Sequence, residues 1–155
     1  MELPNLEKLR ERSKKVNKSL IDRVFTAIML RDKEDVVVFI KERWKRGLRP
    51  DGKSIGEYAW ASYEMFKRQS NPLADGRVDL FDTGALSEGL NLHPKGNGAF
   101  SIFSSDEKFL IIVSRYGLDV FALTAEEEEA VIGVIASKTN IALHDYVMKN
   151  KPLPI

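Results

Sequence analysis

The chain has 155 residues, is 43% apolar and 30% charged, and carries a net charge of +1. Two large domains are excluded, since each needs roughly 100–200 residues, and so is a low-complexity tail. With no cysteine, disulfides, thiol catalysis and thiolate metal sites are excluded too, which fits a reducing compartment. No run of 18 apolar residues is present to span a membrane, and Met1–Lys15 lacks the apolar segment of a standard secretory leader.

The first predicted element is a long helix over about 5–30. Leu6, Leu9, Ser13, Val16, Leu20, Val24 and Ile28 step by three or four and form a mostly apolar stripe. Lys8, Arg10, Arg12, Lys14, Lys15, Lys18 and Arg23 fill the other faces. A second helix follows, with Asp32 as its cap and Asp35 in its first turn. Val36, Val37, Ile40 and Trp44 share its core face, and Gly47 is its left-handed C-terminal stop. Residues 48–77 read as an irregular, aromatic-rich segment with a short helix around 58–68. Tyr58, Trp60, Tyr63 and Phe66 concentrate there, a pattern that suits packing over a core or against a partner.

Residues 78–123 read as an antiparallel meander of about three strands. These are roughly Gly89–His93, Ala99–Ser104 and Phe109–Val113, linked through Pro94–Gly98 and Ser105–Lys108. A C-terminal helix over 124–149 opens with Thr124 and Glu127 as a capping box, and Glu126–Glu129 complement its dipole. Its predicted core face holds Val131, Val134, Ile135, Ile141, Ala142 and Tyr146, with an interruption at Ser137–Asn140. The tail 150–155 is expected to be an extended arm. The whole is one α+β domain: long N-terminal helix, small β-meander, C-terminal helix.

Charge is distributed unevenly. Residues 1–53 hold 15 Lys and Arg against 9 Asp and Glu, and residues 54–155 hold 9 against 14. Such a division steers binding to a polyanion, lets one end of a subunit meet the opposite end of its neighbour, or simply solvates a helix face.

One sequence carries a catalytic pattern. Leu80-Phe81-Asp82-Thr83-Gly84-Ala85 has the form of an aspartic-peptidase active-site loop, whose chemistry needs two such aspartates sharing one proton. A chain with one copy must dimerise. Pro94–Gly98 would then be a glycine-rich flap, and Val131-Ile132-Gly133 the later apolar-apolar-Gly element. Against this, the preceding residues read as helix, Gly133 falls inside a capped helix, and Asp-Thr-Gly is an ordinary turn or N-cap sequence. Asp82 or Thr83 then caps a short helix through Ala85-Leu86-Ser87. There is no P-loop, dinucleotide fingerprint or serine nucleophile elbow. His93 and His144 read as surface or partner-contact residues. No catalytic residue, metal site or cofactor is expected.

A resemblance covers about half of the chain, from Trp44 to Thr124. It rests on Gly47 with Asp51-Gly52, Ile55-Gly56-Glu57-Tyr58, Lys67, Val78-Asp79-Leu80-Phe81-Asp82-Thr83-Gly84-Ala85-Leu86, Ser105-Asp106 and Tyr116–Thr124, in that order. This order resembles small structural proteins of the head–tail junction of tailed bacteriophages, especially phages of Bacteroidetes: neck-ring, connector and tail-completion proteins. Those relatives often show Leu-Thr-Gly-x-Leu-x-x-Ser where this chain has Phe81-Asp82-Thr83-Gly84-Ala85-Leu86-Ser87. The resemblance implies a non-catalytic ring subunit of the virion, assembled in the host cytoplasm. Its partners would be copies of itself and portal, neck or tail proteins. Tyr58, Trp60, Tyr63, Phe66, Lys95 and Asn97 are then candidate subunit contacts. Lys14, Lys15 and Lys18 would face packaged DNA without reading its sequence. A nucleic-acid-binding module using the same basic helix is the other non-catalytic expectation.

Overall fold

The structure, a computed structural model, describes residues 6–58, 61–81, 83–96 and 98–155. The predicted first helix is two helices, α1 (Leu6–Lys15) and α2 (Lys18–Arg31). The break is local chemistry: Asn17 takes extended dihedrals, and its side-chain oxygen accepts the Leu20 N–H at 2.9 Å, an N-cap that starts a new helix. The apolar stripe therefore buries only in its second half, at Val24 and Ile28, while Leu6 is exposed.

The second predicted helix is α3 (Glu34–Lys45). Asp32 does not cap it. Asp32 instead closes α2, donating its N–H to the Ile28 carbonyl at 2.8 Å, and Lys33 precedes α3 without a side-chain cap. Its carboxylate is engaged elsewhere, by Arg31 and by Lys138 at 2.7 Å. Those partners hold the Asp32 carboxyl below the usual carboxylate range, the Arg31 hydrogen bond first and the Lys138 bond second. A depressed carboxyl contributes stability that is complete above an unfolded value of about 4 and lost as pH falls below it. Acidification from pH 5 to pH 3 is therefore expected to lower the melting temperature more in the parent than in Lys138→Met, a comparison that scanning calorimetry makes directly.

Val36, Val37, Ile40 and Trp44 are all buried, as the spacing requires. Gly47 has φ +65° and stops α3 by accepting the left-handed turn; a Cβ there would meet Arg77 Cβ at 2.8 Å. Helix α4 (Ala61–Ser70) falls in the irregular segment as expected. The short helix after the Asp-Thr-Gly sequence is α5 (Ala85–Glu88), preceded by Gly84 at φ +91°.

The meander is a two-stranded antiparallel hairpin, β1 (Leu90–Gly96) and β2 (Ala99–Ser104), with a register irregularity between Pro94 and Gly96. The expected third strand is a helix, α6 (Phe109–Tyr116). Asp106 decides this: its carboxylate accepts the Lys108 N–H at 2.7 Å and its carbonyl the Phe109 N–H at 3.0 Å, a turn that winds into helix. Phe109, Ile112, Val113 and Tyr116 then pack on the core at helical spacing, leaving Leu110 and Ile111 exposed. A 3-10 turn over Leu118–Phe121 leads into α7 (Ala125–Lys149), whose Thr124–Glu127 capping box is present as predicted.

Helix α7 runs through Ser137–Asn140 without interruption. Thr139 is buried, and its hydroxyl donates to the Ile135 carbonyl at 2.8 Å, so the polar group is satisfied inside the helix. The core stripe of α7 is Val131, Ile135, Thr139, Ala142; Val134 and Ile141, expected inside, are exposed. The tail is not a projecting arm. Lys151 N–H reaches the Asp145 carbonyl at 3.3 Å, and Leu153 packs against the core. Helices α1, α2 and α3 pack on α7, and the buried side chains of α2, α3 and α7 join those of the hairpin and α6 in one core around Trp44, Phe121 and Leu90, a mixed α+β architecture.

Candidate functional site

The Asp-Thr-Gly region does not sit in the setting that peptidase chemistry needs. Asp82 lies outside the described residues. Thr83 and Gly84 lead into α5, and Gly133 is in the interior of α7 rather than in a strand. Among the described residues before Leu90 the only β pairing is two isolated bridges, Leu48 with Ser54 and Glu57 with Arg77. The histidines are separate and exposed: His93 on β1, His144 on α7 with its Nδ1 3.6 Å from Asp145. No group of three or more His, Asp or Glu that could hold a metal ion occurs among the described residues. Nor is any described helix long and apolar enough to cross a membrane.

The aromatic segment divides in two. Trp60 lies outside the described residues. Tyr58 is half-buried, meets Tyr63 edge-on at 4.9 Å, and Tyr63 lies 6.1 Å from Phe66. Tyr63 and Phe66 reach solvent, joined by Met65, a neighbour that an aromatic pattern does not reveal. Tyr58 turns inward instead. Its hydroxyl donates to Asp79 Oδ1 at 2.7 Å, and the same carboxylate accepts from Asn71 Nδ2 at 2.6 Å and pairs with Lys67 Nζ at 2.9 Å. Burial pushes the Tyr58 phenol above its ordinary value, and the negative Asp79 beside it adds to the rise.

Lys67 also donates to the Phe81 carbonyl at 2.6 Å, and Asn71 Nδ2 to the Lys45 carbonyl at 2.9 Å. Lys67 and Asp79 side chains are 3% and 1% exposed. Two opposite charges removed from water survive only when paired and hydrogen-bonded, as here. A cleft of about 170 Å³ lies over them, walled by Tyr63, Thr83, Lys108 and Tyr116. With ammonium and carboxylate both committed, this cluster ties α4 to the 78–81 segment; it is a fastening of the fold. Lys67, noted in sequence as part of a motif, is therefore a buried structural cation.

The remaining candidates lie outside. Lys95 is exposed near the hairpin tip, and Asn97 lies outside the described residues. Lys14 and Lys15 are exposed at the end of α1, whereas Lys18 opens α2 and pairs with Asp22 at 2.8 Å. The Asn17 break places these three lysines on two helices.

What the structure adds is an axis. Helix α1 packs against α7, with Arg12 donating to the Tyr146 carbonyl at 3.3 Å. Lys14 and Lys15, within a turn of Arg12, therefore lie near the C-terminal end of α7 with Lys149 and Lys151, both of which pair with Asp145. At the other end, Glu126, Glu128 and Glu129 are exposed, while Glu127 is held by the cap and by the buried Arg43. A helix of 25 residues separates the two ends by roughly 37 Å. Beside this axis, Val134, Ile141 and Met148 form an exposed apolar stripe at seven-residue spacing. The notable sites are thus faces. No protein-family model, curated protein or solved structure matches the chain.

Proposed function

We propose that the chain is a virion structural protein of a tailed bacteriophage, a subunit of a homo-oligomeric ring at the head–tail junction or the top of the tail, with no catalytic role. The observation that carries the assembly is the separation of acidic and basic ends along α7. A face of one sign meeting its complement on the next copy is a heterologous contact, which closes into a ring when the rotation permits. The exposed apolar residues Val134, Ile141, Leu110 and Ile111 supply surface to bury in such contacts. The placement in a phage rests on the order of motifs from Trp44 to Thr124. Portal, neck or tail proteins are then its neighbours, and Lys18, exposed at the start of α2 and outside that charge contact, meets phosphates of passing DNA without reading bases.

The experiment is a charge swap. Light scattering is expected to give a defined oligomer for the parent chain, falling apart as salt rises. Glu128→Lys with Glu129→Lys is expected to leave monomers, and so is Lys14→Glu with Lys15→Glu. An equimolar mixture of the two variants, one with two basic ends and one with two acidic ends, is expected to recover oligomers in which the two alternate. A parent that is monomeric at all concentrations, and absent from purified virions, overturns the reading.

A further inference from the structure

The hairpin has two outer edges, and they differ. Ser105 N–H donates to the Gly89 carbonyl at 2.9 Å. That bond makes the Leu90–Ser104 pair a non-hydrogen-bonded one, so Asn91–Phe103 and His93–Ser101 exchange the ladder bonds. By the same alternation, the N–H and C=O of Phe100 and Ile102 point away from β1, as do those of Leu90 and Leu92. On the β1 side this edge is blocked at both ends, with only Leu92 between them keeping its outward N–H and C=O. Lys33 Nζ donates to the Leu90 carbonyl at 3.3 Å, and Pro94, opposite Phe100, has no N–H to offer. On the β2 side, among the described residues, nothing bonds to Phe100 or Ile102.

A groove of about 350 Å³ runs along this open edge. Five consecutive residues, Gly98 to Ile102, line it and none of β1 does, which places it beside the strand rather than across the sheet face. Its far wall is Leu118, Leu123 and Ile132, and Glu128 stands at its rim. The groove therefore asks for an extended segment with alternate backbone donors, apolar side chains and a positive charge.

We infer that the occupant is the C-terminal tail of a second copy, Lys151-Pro-Leu-Pro-Ile, added to β2 as a third strand. This deepens the ring reading and rests on it. Along the tail, Lys151, Leu153 and Ile155 keep their N–H groups on one side, spaced by two like Phe100 and Ile102. Pro152 and Pro154 leave no donor on the other side, so the added strand ends the sheet. Glu128 at the groove's rim is the complement to Lys151 at the head of the tail, whose ammonium pairs with Asp145 at 2.8 Å in its own subunit. Head-to-tail contact between opposite ends of α7 brings the two together. In its own subunit the tail is held by Lys151 N–H on the Asp145 carbonyl, Ile155 N–H on the Leu153 carbonyl and Leu153 against the core, with Ile155 56% exposed, so docking exchanges those contacts for the ones on β2.

The test uses the absence of cysteine. Full-length chains carrying Ile132→Cys and Ile155→Cys together are treated with a short bismaleimide. Within one chain, position 132 lies roughly 21 Å along α7 from Tyr146, beside which Ile155 rests, so a short link forms only between copies. A ladder of dimers and higher species joined 132 to 155 by mass spectrometry is expected. Ile141→Cys with Ile155→Cys, a pair outside the groove and only roughly 7.5 Å apart along α7 as measured to Tyr146, is expected to link within single chains and give no ladder between copies. Ile102 lies at a position whose N–H is not in the hairpin ladder. Ile102→Pro is therefore expected to cut linking about tenfold below Ile102→Ala, since both lose the side chain and only proline loses the outward donor. Oligomers by light scattering without the 132–155 link, equal linking between copies at 141, or equal linking in the Pro and Ala variants overturn the tail assignment and leave the ring reading standing. A monomeric parent overturns both.

Discussion

Trp44→Ala destabilises the protein by about 3–5 kcal/mol, the range for emptying a large aromatic from a core. Three separate losses combine. The side chain is wholly buried, so its removal leaves a cavity between α3 and the 3-10 turn. Its Nε1 donates to the Val120 carbonyl at 2.9 Å, and that buried oxygen is left without its partner. Its ring meets Phe121 edge-on at 5.1 Å, and Phe121 meets Phe109 at 4.9 Å, so the aromatic chain that holds α6 to the body loses its first member. Trp44→Phe retains most of the volume and is expected to cost distinctly less. Urea unfolding midpoints measure both, and a shift of under about 1 kcal/mol for alanine would remove Trp44 from the centre of the core.

Asp79→Ala is the second large effect, at about 3–5 kcal/mol, the range for breaking a buried charge pair from one side. The variant strands the Lys67 ammonium, the Tyr58 hydroxyl and one bond of Asn71 in a site with almost no water. The pair as such is a different matter. Exchanging both partners for apolar residues, Lys67→Met with Asp79→Leu, removes the desolvation cost along with the attraction. That double variant is expected to be more stable than Asp79→Ala alone, although the Phe81 carbonyl loses its donor. If the single and double variants unfold at the same denaturant concentration, the stranded charge is not the source of the loss.

Legibility from sequence followed the locality of each signal. The Thr124–Glu127 capping box, the Gly47 stop and the inward face of α3 depend on residues within a turn of one another, and all three stand where the spacing put them. Phe109-Leu-Ile-Ile-Val could not be assigned by periodicity, because five consecutive apolar residues fit either period. The deciding group was Asp106, a turn-former whose bond to Lys108 N–H is short-range but shared by hairpins and helix starts. Asp32 misled for the opposite reason: an acid before a helix reads as a cap, but its carboxylate is taken by the adjacent Arg31 and, across the fold, by Lys138.

Surface and core were harder to separate. Val134 and Ile141 have the right chemistry for a core and lie one step round α7 from the stripe that packs. In sequence Tyr58 groups with Tyr63 and Phe66 as a contact residue, yet its hydroxyl belongs to Asp79, 21 positions away. The open edge of β2 was invisible, since a strand's exposed border depends on how many strands the sheet has. A meander of three would have covered one side of it.

Pro94 has a consequence for how material accumulates. With a proline and the Lys33 ammonium along one border of the hairpin, recruitment favours the other. Every molecule then has a single favoured acceptor lip, so a row of them has a sense of direction, like the links of a chain rather than the rungs of a stack. Runaway lamination into cross-β fibrils is blocked by the same proline.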